Sequence, residues 1–188
     1  MRRTLIIGLA IALSLAAIAT AVLAASAGPL GSKELQAVRA AVARYHSYDQ
    51  AKADGYDLTG EPCVSSPAGG MGIHAPNRAL TQSDAIDPEH PEVLLYNQKA
   101  DGSYELVGVE YFHVALANTP DGPRPWFAAD APPNGFVTPR PSLFGQAFDG
   151  PMAGHNPQMP WHYDLHVWVL TPNNAGTFAQ FNPAVPCG

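Results

Sequence analysis

Apolar residues recur at helical spacing early in the chain and at strand spacing later. Leu35, Val38, Val42 and Tyr45 follow one another at three- and four-residue intervals, the period of one face of an α-helix. Ser32 stands at the capping position, Glu34 falls in the first turn and Gly55 follows the last, which predicts a single helix over residues 32–54. His46 falls at the edge of the apolar stripe and reads as a packed or solvated helix residue rather than a ligand.

Residues 92–97 and 104–116 are rich in β-branched and aromatic side chains and are joined through an Asp101-Gly102 turn, so they predict a β-hairpin. Alternation in the second strand puts Leu106, Gly108, Glu110, Phe112 and Val114 on one face and Val107, Val109, Tyr111 and His113 on the other. A third strand is predicted over residues 161–170. Its Tyr163, Leu165, Val167 and Val169 form a core face, and His162, Asp164, His166 and Trp168 form a polar face ending in an indole. The predicted fold is α+β: an N-terminal helix packed on an antiparallel sheet with long Pro/Gly-rich loops. A small β-barrel with a helix is the alternative.

Two segments are too punctuated by turn residues for regular structure. Residues 58–87 predict a loop in which Gly69-Gly70-Met71-Gly72-Ile73-His74 lets the backbone bend sharply and deliver His74 into a site. This stretch lacks the lysine and the following helix of a phosphate-binding loop. Residues 118–141, interrupted by prolines and carrying Trp126 and Phe127, predict an ordered loop or surface excursion with no strand or helix. His90, inside Asp87-Pro88-Glu89-His90-Pro91, reads as a surface turn residue.

The N-terminus changes the compartment. Arg2 and Arg3, an apolar run over residues 5–23 and Ala25-Ser26-Ala27 predict a signal peptide over residues 1–27, cleaved after Ala27. An uncleaved anchor is the alternative. One globular domain over residues 28–188 remains, placed in the periplasm or outside the cell. In an oxidising compartment Cys63 and Cys187 default to a disulfide. Neither cysteine has the histidine and methionine neighbours of a blue-copper ligand. The formal net charge of −6 becomes more negative once Arg2 and Arg3 leave. With no basic cluster, nucleic acid and, after cleavage, membrane surfaces are excluded as partners.

The chemistry falls on histidines and carboxylates. Glu110 is an acid inside an apolar strand and needs a partner: backbone or tyrosine, a metal, or a proton it holds as a general base. On a strand, His162 and His166 lie about 13 Å apart, too far to share an ion. The predicted site therefore joins His74, Glu110 and His166 from three segments, with His162 or a water completing the shell and Asp164 or His155 in support. Met71, Met152 and Met159 each precede a histidine by three residues, namely His74, His155 and His162. Thioether with imidazole suits copper and carboxylate with imidazole suits zinc, so the expected cofactor is a divalent or copper ion. His-Glu-x-x-His and Gly-x-Ser-x-Gly signatures are absent, and oxidised cysteines offer no thiolate. Two other functions stay open: a metal-free module binding a small molecule or glycan between Trp126, Phe127, Trp161 and Trp168, and a structural envelope protein.

The strings Met71-Gly72-Ile73-His74, Pro91-Glu92-Val93-Leu94-Leu95-Tyr96, Leu106-Val107-Gly108-Val109-Glu110-Tyr111-Phe112, Leu143-Phe144-Gly145-Gln146 and His162-Tyr163-Asp164-Leu165-His166-Val167-Trp168 resemble those of a family of small exported bacterial proteins without an assigned activity. The resemblance covers most of residues 35–188 and implies one exported domain.

Overall fold

Ser32 caps the first helix as its position predicts, its hydroxyl oxygen accepting the Leu35 N–H at 3.2 Å. The structure, a computed structural model, describes residues 32–187 apart from Thr59 and Glu61. The predicted signal peptide and its cleavage point lie outside the described residues. No helix among the described residues is long and apolar enough to cross a membrane.

The predicted single helix is divided. Helix α1 covers Lys33–Val42, a 3₁₀ turn covers Ala43–His46, and α2 covers Tyr48–Ala53. The break sits at Ser47, whose backbone is extended and whose side chain caps α2 through the Gln50 N–H. A serine that can bond its own backbone competes with helix continuation, which the apolar spacing does not register. The stripe survives the break because the 3₁₀ turn still directs Tyr45 inward. Leu35, Val38, Val42 and Tyr45 pack with Leu94, Tyr96, Val109 and Tyr111. Fully buried Val38 and Val42 each contribute on the order of 1.5–3 kcal/mol.

The rest is mainly sheet. Strands β1 (Val64–Ser66), β2 (Gly69–Pro76), β3 (Val93–Gln98), β4 (Tyr104–Val114), β9 (Asp149–Met152) and β10 (His162–Val167) form one sheet in the order β1-β2-β3-β4-β10-β9. Every pairing is antiparallel, and the sheet curls into a half-barrel. The helices do pack on one of its faces, but they are few and short, so the architecture is closer to the barrel alternative than to an even α+β division. Two short ribbons, β5 (Leu116–Ala117) with β6 (Arg124–Pro125) and β7 (Ser142–Leu143) with β8 (Gln146–Ala147), flank the sheet.

Residues 58–87 are not one continuous loop as predicted: they contain β1, β2 and a short helix, α3 (Arg78–Thr81). The glycines that signal a loop permit close strand approach instead. A Cβ on Gly72, where φ is +90°, would stand 2.9 Å from the Tyr96 carbonyl oxygen of β3. A Cβ on Gly70 would stand 2.6 Å from the Val185 carbonyl oxygen, because the C-terminal segment crosses β2 there. That segment is tied down by backbone bonds between Gly70 and Asn182 and by the Cys63–Cys187 disulfide, whose Cα atoms are 5.3 Å apart. The excursion over residues 118–141 likewise contributes β6, contrary to its reading as strand-free.

A bulge corrects one face assignment. Leu95 pairs with Gly108 and Tyr96 with Leu106, so Val107 is an extra residue in β4. Alternation resets across it. Leu106 therefore packs with Val109 and Tyr111, and Val107 packs with Phe112 and Trp168, the reverse of the unbroken pattern. Glu110 lies beyond the bulge and keeps Phe112 and Val114 on its face, with Val107 in the place expected for Leu106. The third predicted strand is confined to His162–Val167; from Trp168 onward the chain leaves the sheet, with the Trp168 N–H donating to the Thr177 carbonyl at 2.9 Å.

Candidate metal centre

Strands β3, β4 and β10 put Glu110 and His166 opposite each other, and β2 brings His74 across β3 toward them. In register, His166 pairs with Glu110, Val93 with Glu110, and His74 with Leu95. His74 and Glu110 thus approach over the side chains of β3. His74 Nε2 is 3.2 Å from Glu110 Oε2, His166 Nε2 is 3.9 Å from the same oxygen, and His166 Nδ1 is 3.7 Å from Asp164 Oδ2. Two groups of ligand-capable atoms result, each within 4.8 Å: His74, Glu110 and His166, and Glu110, His162 and Asp164. As the strand rise requires, His162 and His166 fall in different groups. His155, on the loop between β9 and β10, belongs to neither, but its ring lies 6.0 Å from that of His74 and 6.3 Å from that of His162.

The polar face of β10 is not at the surface. His162, Asp164 and His166 are at most 2% exposed, and Glu110 is 1% exposed. Burial pushes the His166 imidazole down to about 4 despite the attraction of Glu110, and pushes His162 down as well. The His166 ring is therefore neutral near pH 7, the state in which a nitrogen lone pair can bind a metal, and burial disfavours the charged form of His162 in the same sense. Burial pushes the Asp164 carboxyl up to about 8, with Glu110 and Asp149 adding repulsion. Burial also opposes ionisation of Glu110, but the His74 side chain 3.2 Å away outweighs it and holds the carboxyl below its usual range.

Hydrogen bonding leaves this cluster incomplete. Glu110 Oε2, His162 Nε2, Asp164 Oδ1 and both ring nitrogens of His166 are buried without a hydrogen-bond partner. The His74–Glu110 approach is close enough for attraction but misaligned for a hydrogen bond. Two rings are nonetheless held in place by stacking, His162 against Phe112 with centroids 4.6 Å apart and His166 against Trp168 at 6.3 Å.

A cleft of about 890 Å³ reaches the cluster from outside, with His74, Glu110, His155, Phe112 and Phe127 in its wall. The aromatic pocket considered from sequence does not assemble. Trp168 is fully buried, with its indole N–H on the Ala179 carbonyl at 2.6 Å; Trp126 bonds the Asp130 carbonyl at 3.0 Å, and Trp161 bonds the Ala128 carbonyl. Of the four aromatic residues, Phe127 alone lines the cleft. The methionine sulfurs have local uses: Met159 accepts the His155 N–H at 3.4 Å, and Met152 accepts the Gln180 side chain at 3.8 Å.

Sequence reasoning missed one buried acid. Glu92, immediately before β3, is 1% exposed, its carboxyl pushed up to about 7 by burial, and its Oε2 accepts the Phe112 N–H of β4 at 3.1 Å. It stands at the edge of an apolar run, as Glu110 stands within one, so the same signal applied to Pro91-Glu92-Val93 finds it.

The ligand-bearing strands β2, β4 and β10 thus contain the sequence strings at residues 71–74, 106–112 and, up to Val167, 162–168. Compared with known proteins, the chain matches no family model, no curated protein and no solved structure.

Proposed function

We propose that this is an exported metal-binding protein in which His74, Glu110 and His166 hold a divalent cation at the inner end of the cleft. The observation that carries this reading is the concentration of buried ligand atoms without a hydrogen bond: five atoms on Glu110, His162, Asp164 and His166, three of them met only by ion-pair approaches of 3.2–3.9 Å within the cluster. Each such atom costs on the order of 1–3 kcal/mol when nothing satisfies it, and native interiors rarely collect them in one place. A cation supplies the partner that neutral imidazoles and carboxylates lack. Two imidazoles and one carboxylate suit zinc or a similar divalent ion and leave a position open toward the cleft for water or a small molecule. Hydrogen bonds to the sulfurs of Met152 and Met159 remove two of the three thioethers that favoured copper. The disulfide and the basic, apolar and small-residue pattern of residues 1–27 support export.

Elemental analysis of protein purified from the periplasm or culture medium, before and after dialysis against a chelator, tests the reading. At least one tightly held divalent ion per chain is expected, with a lower melting temperature after its removal. A protein that holds no metal, and melts at the same temperature with and without added Zn²⁺, has a different function.

A further inference from the structure

Glu110 belongs to two ligand groups at once, and the site proposed above uses only one of them. The other, Glu110 with His162 and Asp164, has all its ligand atoms within 4.8 Å. His162 is set up as a ligand: its Nδ1 lies 2.9 Å from the Pro160 carbonyl oxygen. A carbonyl only accepts, so the proton sits on Nδ1 and the Nε2 lone pair is bare. That Nε2 is buried without a partner, and the stacked Phe112 fixes the plane of the ring. The two Asp164 oxygens differ in surroundings. Oδ2 faces His166 Nδ1 at 3.7 Å, where it can orient that ring, while Oδ1 is buried and unpartnered.

Two further facts point the same way. Among the described residues no lysine or arginine pairs with Glu110 or Asp164, and the ion-pair partners facing these two acids are histidines. His162 and His166 stand on one strand face about 13 Å apart along the backbone, so a single ion cannot use both. Glu110, across from His166 and within reach of His162, has a carboxylate with two oxygens to divide between them.

Resting on the metal-site reading above, we infer that the protein binds two divalent cations, the second held by His162 and Asp164, with the Glu110 carboxylate bridging the pair. Bridged ions of this kind lie about 3.5–4 Å apart. His155, whose ring is 6.0 Å from His74 and 6.3 Å from His162, covers both positions from the cleft side.

Equilibrium dialysis of the whole protein against Zn²⁺, followed by elemental analysis, counts the ions, and electron paramagnetic resonance of the Mn²⁺-loaded protein reports whether they are coupled. Two ions per chain, an exchange-coupled Mn²⁺ spectrum, and a fall to one ion in both His162→Gln and His74→Gln support the pair. Saturation of the wild-type protein at one ion, unchanged in His162→Gln, overturns the pair and leaves the single-ion site standing. No ion at all overturns both. Two ions with uncoupled spectra, or two ions retained in His162→Gln, also rule out the bridged arrangement. If His162→Gln does not fold, the wild-type count and spectrum decide alone.

Discussion

His166 on β10 stands directly across from Glu110 on β4, yet its Nε2 stops 3.9 Å from Glu110 Oε2 and makes no hydrogen bond to it. The gap is too wide for a hydrogen bond and wide enough to admit a cation, whose bonds to nitrogen and oxygen are about 2.0–2.2 Å. One ion between them would reach both atoms at ordinary bond lengths.

Replacing His166 by Ala removes a ligand from the first ion. A metal at one hundred times its dissociation constant stabilises the native state by about 2.7 kcal/mol, a melting-temperature rise of about 5–10 °C for a domain of this size. In thermal melts with and without Zn²⁺, the wild-type protein should show that rise and His166→Ala should lose it. Retention of the rise in the variant removes His166 from the site.

The metal-free protein should become less stable as pH rises from 6.5 to 8. Asp164 and Glu92 are pushed up to about 8 and about 7 in the fold. The native state therefore keeps protons that the unfolded chain has already released, and the resulting stability is lost as pH rises through these values. The limit is about 1.4 kcal/mol per pH unit for each group. His166, lowered to about 4, acts in the opposite sense, but only below the ordinary histidine range, where falling pH charges the unfolded chain first. Urea titrations in the presence of chelator should show the decline above pH 6.5, and Asp164→Asn should flatten it. Added Zn²⁺ should oppose it, because the ion binds deprotonated ligands.

Reduction of Cys63–Cys187 should cost about 4–5 kcal/mol on the chain-entropy model, since the bridge spans a sequence separation of 124 residues. Calorimetry with and without a reductant measures the difference. An unchanged melting temperature would mean that the backbone bonds between Gly70 and Asn182 hold the C-terminal segment on their own.

Gly72→Ala should destabilise by at least about 2 kcal/mol, combining the strain of a positive φ with contact against the Tyr96 carbonyl. Chemical denaturation reads this directly. A neutral substitution would show that β2 can move away from β3, and such movement should also weaken metal binding through His74.

The sequence by itself determined the local periods: the apolar stripe from Leu35 to Tyr45, the two faces of β10, the placement of β3 and β4, and Glu110 as an acid in need of a partner. Those properties depend on spacing within one segment, and spacing is written in the chain. Only the tertiary structure decided the rest, because each remaining feature depends on a neighbour distant in sequence. Ser47 divides the helix while Tyr45 still reaches the core, Val107 drops out of register against β3, and Gly72 lies in a strand because Tyr96 passes too close for a side chain. The same reason applies to the site. Residue types on β10 show that its second face is polar, but packing from β2, β4 and the Trp168 segment buries that face and leaves His162, Asp164, His166 and Glu110 short of partners.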